Sequence, residues 1–179
     1  MKLETECLIL RPFNSSDAPS LYKYASNPKV GPQAGWPAHT SEEESLEIIQ
    51  TVLTGELIFA IVSKDNLDEV IGCIDLNIGK RDFMSDAEGE IGYWIAEDYW
   101  GKGLIPEAVR AVLNQGFDII GLDYIWCAAF TDNLNSKRVQ EKIGFKYIKT
   151  LEDVEFKLIN QTKTEDLTRL SRSEWYTIR

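Results

Sequence analysis

The run Tyr99-Trp100-Gly101-Lys102-Gly103-Leu104 combines residue types and spacing suited to holding a phosphate. It lies between an apolar, strand-like stretch at residues 91–96 and a helix-patterned run that begins near Ile105. A strand feeding a glycine turn that opens a helix aims backbone N–H groups outward, where an anion can take them. Gly101 and Gly103 permit close backbone approach, Lys102 adds positive charge, and Pro106 suits a first helical turn, where its missing N–H costs nothing. The turn lacks the Gly-Lys-Ser/Thr ending of a Walker loop, and Pro106 stands where the dinucleotide fingerprint needs a small residue. Two glycines can equally make a tight connection with no ligand. A second polar group, Asn133-Leu134-Asn135-Ser136, follows later and leads into Glu141-Lys142-Ile143-Gly144-Phe145.

The elements that position these groups follow from periodicity and punctuation. Residues 7–10 read as a strand, and Asn14 caps a helix with Asp17 three residues on and an apolar side of Leu21, Tyr22 and Tyr24. Asn27-Pro28 ends it. The loop at 31–39 is rich in Gly and Pro and carries Trp36 and His39, the only histidine. Thr40-Ser41-Glu42-Glu43 opens a second helix running through Leu46, Ile49 and Leu53 to Gly55. Residues 57–62 and 70–78 form strands joined by a polar turn at 64–69, and a polar loop at 81–88 precedes a strand at 90–96. Ile105, Ala108, Val109, Val112, Leu113 and Phe117 recur at helical spacing up to Gly121. A buried strand at 124–130, a short helix at 135–143 stopped by Gly144, and a strand at 145–151 complete the legible part. In the tail, residues 167–170 read as a last strand, and Trp175 and Tyr176 dock aromatic surface. The mixed order fits one α+β domain over residues 1–179.

Bulk properties narrow the partners. Of 179 residues, 44% are hydrophobic and 27% charged, an ordinary globular balance able to bury a core. A net charge of −10 argues against nucleic acid, which demands clustered Lys and Arg, and suits cationic substrates such as amines. Cys7, Cys73 and Cys127 are an odd, widely spaced set that makes neither a disulfide framework nor a zinc site, so they read as small buried hydrophobes. No metal is expected. The charged N-terminus is unlike a signal peptide and no apolar run has membrane-spanning length, so the expectation is a cytoplasmic protein without a membrane partner.

The glycine turn, Asn133-x-x-Ser136 and Glu141-Lys142-Ile143-Gly144-Phe145 together resemble the GNAT superfamily of acyl-CoA-dependent N-acetyltransferases. More narrowly, the chain is similar to the branch containing Rim-type ribosomal-protein N-terminal acetyltransferases. Leu8-Ile9-Leu10-Arg11-Pro12, Gly35-Trp36-Pro37 and Glu90-Ile91-Gly92-Tyr93-Trp94-Ile95 belong to the same pattern, which covers the chain up to about Phe145. The resemblance implies a twisted, mixed, mostly antiparallel sheet flanked by helices, in which two parallel strands, at 90–96 and 124–130, splay apart. It implies acetyl-CoA as co-substrate. The pantetheine arm would pair with backbone groups of Trp94, Ile95 and Ala96, and the pyrophosphate would sit on the N–H groups of Lys102, Gly103, Leu104 and Ile105. Asn133 would hydrogen-bond the pantetheine arm, and Lys137 would meet phosphate or remain a solvated helix charge. Ile105 stands where the family turn usually ends in Gly or Ala, so its side chain must either crowd the diphosphate or turn into the core.

Acetyl transfer needs a neutral amine to attack the thioester and a proton for the departing thiolate, and with both substrates bound no covalent intermediate is required. The resemblance makes Glu90 the candidate base, directly or through water; alternatively it is a charged residue at a strand entrance. The tyrosine acid of many relatives is replaced by Gln140, which leaves Ser136 as the hydroxyl at a motif position, or as a simple helix-start hydrogen bond. His39 is a third candidate, although a lone loop histidine is ordinarily exposed and silent. Cys127, mid-strand with no base near it in sequence, is not expected to be a nucleophile. Transfer of acetyl to a primary amine is the resulting expectation, with a protein or peptide N-terminus or a small amine as acceptor. The alternative is a non-catalytic CoA-binding sensor or interaction module. The chain is expected to be a monomer or a homodimer, the tail from Glu152 either closing its own sheet or pairing with another subunit's.

Overall fold

Leu8 and Leu10 are fully buried while Ile9 and Arg11 are only partly so, the period-two pattern of a strand with one face on a core. The computed structural model describes residues 1–179, which fall into two compact units. One unit holds residues 1–75 and 93–108, the other residues 76–92 and 109–179.

In the first unit, β1 (Leu3–Glu4), β2 (Leu8–Arg11), β3 (Ile58–Ser63) and most of β4 (Asn66–Ile78) pair antiparallel in succession. The β3–β4 turn is tighter than the expected six residues, because β4 already begins at Asn66 and bulges near Val62 absorb the offset. The capping box at Asn14 opens a single 3-10 turn, and α1 (Ala18–Ala25) follows it. Arg11 clamps the capping residue Asp17 with two hydrogen bonds of 2.8 Å. Ser41 caps α2 (Glu42–Thr51) by accepting from the Glu44 N–H at 3.1 Å, and the helix stops four residues short of Gly55. The two helices bury Ala18, Leu21, Ala25 and Ile49 against Trp36, Leu46 and Trp94.

β5 (Glu88–Ile95) and α3 (Leu104–Asn114) each run from one unit into the other. In the second unit, residues 88–91 of β5 pair in parallel with β6 (Tyr124–Phe130). This ladder ends at Ile91 opposite Cys127, although both strands continue. β6 pairs antiparallel with β8 (Gln161–Ser171) along its whole length, and β8 with β7 (Lys146–Phe156). The sheet order is β1-β2-β3-β4-β5-β6-β8-β7, mixed, with one parallel pair, as the resemblance implied. α3 passes into a π-helical turn (Gln115–Ile120) before Gly121, and α4 (Leu134–Ile143) joins β6 to β7.

The tail differs from its sequence reading. The last strand has eleven residues rather than four and inserts between β6 and β7, making β7 a sheet edge. Ser171 and Glu174 form a further capping box for α5 (Arg172–Ile178). Its Trp175 is buried and donates to Asn114 at 3.1 Å, whereas Tyr176 is exposed rather than docked. Cys73 and Cys127 are buried as expected, but Cys7 is exposed, lying just before β2 with its N–H bonded to Glu107 at 2.7 Å. No helix is long and apolar enough to cross a membrane.

Candidate active site

The glycine turn has the form its sequence requires. Gly101 and Gly103 adopt φ of +74° and +79°, in the left-handed region that favours glycine, and a Cβ added at either would meet nothing within 4 Å. The turn is therefore open on the side where glycine bares the backbone, and α3 starts immediately after it, at Leu104. The first N–H groups of a helix have no partner within the helix, so those of Leu104 and Ile105 suit an anion. Ile105 is buried: its side chain turns into the core and leaves the turn uncrowded. The Trp100 indole N–H donates to Ile95 O at 2.8 Å, tying the turn to the end of β5. Ala96 N–H donates to Ile71 O at 2.8 Å. Two backbone groups of the 94–96 segment are thus committed within the protein, and a pantetheine arm would have to use others. Lys102 lies over the Tyr99 ring at 4.9 Å.

The loop between α1 and α2 contributes an aromatic cluster in the same unit. Trp36 meets Trp94 edge-on at 5.6 Å between centroids and lies 5.2 Å from the His39 ring. His39 is buried rather than exposed. Its backbone N–H reaches Ala25 O, and Nδ1 lies 2.8 Å from Ser45 Oγ. Burial holds the imidazole below its ordinary value of 6.5, and the charge of Glu44 only partly offsets this. The unfolded chain takes up this proton first as pH falls. His39 therefore contributes stability that is complete above about 6.5 and is lost as pH drops through the lower folded value. Melting temperatures of His39→Gln should fall less than wild type between about pH 7.5 and about pH 5; parallel curves would remove His39 as the source of acid sensitivity.

Glu90 occupies a different setting, in the second unit. It is 4% exposed, and Arg81 engages both its oxygens while Lys80 Nζ lies 3.1 Å from Oε1. The same guanidinium reaches Glu165, 3% exposed, at 2.5 Å. Burial pushes the Glu90 carboxyl up, but the Arg81 hydrogen bond and the charges of Lys80 and Arg81 outweigh it and hold it below the usual 4.5. Such a carboxylate is ionised at neutral pH, with its lone pairs already directed at cations. The loop that supplies Arg81 also sets Phe83 edge-on to Trp126 at 5.3 Å.

The Asn133–Ser136 motif forms the N-terminus of α4. Asn133 caps the helix, its Oδ1 accepting from Ser136 N–H at 3.1 Å. Gln140 lies one turn on, 2% exposed, and donates from Nε2 to Ser136 Oγ at 3.2 Å. Thr168 on β8 donates to Gln140 Oε1 at 2.8 Å. Lys137 forms a 2.6 Å ion pair with Asp166.

Sequence reading located Glu90, Asn133 and Ser136 but not their partners. Arg81 read only as part of a polar loop, Lys80 carried no reading, and nothing local marks Glu165 or Thr168, because strand pairing brings them in from far along the chain.

The model of the acetyltransferase (GNAT) domain matches residues 8–146, across both units. The chain is 33% identical over 149 residues to the uncharacterized N-acetyltransferase YoaA of Bacillus subtilis, covering 80% of this chain and 82% of that protein. It is 29% identical over 126 residues to the ribosomal-protein-serine acetyltransferase of Escherichia coli, covering 68% of each. A GNAT-family acetyltransferase from Bacillus anthracis shares the fold, with a TM-score of 0.83 and 24% identity over 97% of this chain and all of that one. The chain belongs to the GNAT superfamily, as an acyl-CoA-dependent N-acetyltransferase whose relatives include ribosomal-protein acetyltransferases.

Proposed function

We propose that the protein transfers acetyl from acetyl-CoA to a primary amine by direct attack in a ternary complex, with a protein or peptide N-terminus as the favoured acceptor. The observation that carries this reading is the open glycine turn, whose left-handed Gly101 and Gly103 lead straight into α3. In this reading the pyrophosphate takes the N–H groups of Lys102, Gly103, Leu104 and Ile105, and the pantetheine arm pairs with backbone groups of Trp94, Ile95 and Ala96. Lys137, paired with Asp166, serves phosphate only by exchanging that partner. Residues 1–179 act as one catalytic domain, consistent with a family match that spans both units. The peptide acceptor is supported by the relative that is a ribosomal-protein-serine acetyltransferase and by the net charge of −10, which suits a cationic amine.

Ser136 supplies the proton to the departing thiolate. Glu90 draws the proton from the amine through water; its pairing with Arg81 and Lys80 keeps it ionised but weakens it as a base, so its main service is to orient that water. Two measurements test the whole. Acetyl-CoA should raise the melting temperature, as a native-state ligand must, and should release thiol with N-terminal peptides in preference to small amines. Glu90→Gln should lose about 100-fold in kcat with acetyl-CoA binding retained. Thiol release with polyamines alone would overturn the peptide acceptor, and unchanged turnover in Glu90→Gln would reduce Glu90 to an anchor for Arg81.

A further inference from the structure

We propose that Asn27 and Tyr24 are positioning residues for the glycine turn, holding Glu97 and Tyr99 at its entry so that the N–H groups beyond face a pyrophosphate. This rests on the reading that acetyl-CoA is the donor bound there. A single 3-10 turn, Glu97–Tyr99, joins the end of β5 to the glycines, and none of its side chains is buried. Its backbone bonds close on the turn itself, Tyr99 N–H reaching Ala96 O and Trp100 N–H reaching Glu97 O. Hydrophobic burial therefore does not fix the direction of the entry, as burial of Ile105 and Ala108 fixes the start of α3. Gly101 and Gly103 add freedom of their own, because glycine populates many backbone conformations. An N–H cradle with a fixed exit and a free entry would have to be ordered on binding, which costs affinity.

α1 and the residues after it fasten that entry at two points. Asn27 Nδ2 donates to Glu97 Oε2 at 2.8 Å, and Lys29 Nζ donates to Oε1 at 2.5 Å. The polarity of the Asn27 amide is fixed by its partners. Its Oδ1 accepts from the Lys29 backbone N–H at 2.9 Å, a group that only donates, whereas an ionised carboxylate only accepts. Turning the amide over would set oxygen against oxygen and N–H against N–H. Asn27 is itself anchored, its backbone N–H reaching Tyr24 O and its carbonyl accepting from Val30 N–H.

At the second point the Tyr24 ring, 8% exposed, meets the Tyr99 ring edge-on at 6.2 Å between centroids. The Tyr24 hydroxyl donates to Glu69 on β4 at 2.9 Å, which holds that ring in place. Tyr99 in turn lies under the Lys102 ammonium, in the glycine turn itself. All of these groups belong to the first unit.

Asn27→Ala changes no charge and should raise the acetyl-CoA Kd about 3–10-fold, with kcat at saturating acetyl-CoA within about twofold of wild type. Glu97→Ala should weaken binding by a similar factor, although removing a negative charge near a polyanion would by itself tighten it. Glu97→Gln keeps an acceptor for Asn27 and should recover most of the affinity. The double variant of Asn27→Ala and Glu97→Ala should bind no more weakly than the poorer single variant, because the same contact is cut either way. Tyr24→Leu should raise the Kd about 3-fold, and Tyr24→Phe, which keeps the ring, should recover most of it. Kd is measured by calorimetry beside the melting temperature of each variant, and Asn27→Ala keeps the test alive should Tyr24→Leu fail to fold. No acetyl-CoA binding by the wild type would overturn the donor reading and this proposal with it. Wild-type binding with an unchanged Kd in Asn27→Ala, or a tightened one in Glu97→Ala, would overturn the role of Asn27 alone. A wild-type Kd in folded Tyr24→Leu would overturn that of Tyr24.

Discussion

Arg81→Ala is expected to lower stability by about 3–5 kcal/mol, a fall of about 6–20 °C in melting temperature for a chain of this size. The guanidinium is the shared partner of two carboxylates, Glu90 and Glu165, that are 4% and 3% exposed. Removing it leaves buried negative charge with only Lys80, whose side chain is half in solvent, near Glu90. The loss should depend on pH in a defined direction. In the wild type the Glu90 pKa is lowered, so its contribution is present above about 4.5 and is lost as pH falls through the folded value. Without Arg81, burial loses its main counterweight and the carboxyl moves above 4.5. A raised folded value contributes stability below 4.5 and loses it as pH rises, so the variant's deficit should be complete at neutral pH, shrink as pH falls towards 4.5, and become small only below the wild-type folded value. Thermal melts across that range provide the check. A triple variant, Arg81→Met with Glu90→Gln and Glu165→Gln, should recover most of the loss at neutral pH because no buried charge remains. A deficit under about 1 kcal/mol, independent of pH, would show that solvent already neutralises the pair.

Gly72→Ala should damage both the fold and the donor site. A Cβ at this point of β4 would be driven into the Trp94 carbonyl oxygen and would lie 3.0 Å from Ile95 Cα. Both obstacles are backbone, so no side-chain rotation relieves them, and the segment 94–96 must move away from β4. The cost should reach the upper end of the about 1–3 kcal/mol typical of overpacking. Because the proposed pantetheine contacts lie on that segment, the acetyl-CoA Kd should rise with the loss of stability. A core variant such as Val112→Ala, fully buried on α3, should lose stability and leave the Kd unchanged. Equal Kd values in the two variants would detach segment 94–96 from acetyl-CoA binding.

Much of the fold was legible because its signals are local. The strand at 124–130 and the helix ending at Ile143 appear where periodicity placed them, and Asn14 caps as its position predicted, whereas the second helix is capped by Ser41, one residue later than a box at Thr40–Glu43 would place it. Residues 145–151 of β7 and 167–170 of β8 read as strands, but the far end of β7 and most of β8 did not, for a physical reason. β7 is an edge strand rich in Lys and Glu with two bulges, so its exposed residues do not alternate cleanly, and a strand need not look apolar when only β8 pairs with it. Glu165 lies beyond the expected 167–170 and Thr168 within it; neither entered the candidate site because strand register, not local sequence, brings them to their partners.

The division follows range along the chain. The glycine turn, the stop of α4 at Gly144 and the family were determined by the sequence alone, because glycine spacing and motif order act over a few neighbouring residues. Only the tertiary structure decided that Ile105 faces the core, that His39 is buried beside Ser45, that Glu90 shares Arg81 with Glu165, and that Gln140 links Thr168 to Ser136. Each of these depends on which side chain a strand register or a helix face brings within 3–4 Å, and direction and protonation are set by such contacts. A residue's type names the chemistry it can do. Its distant neighbours determine which part of that chemistry it is free to perform.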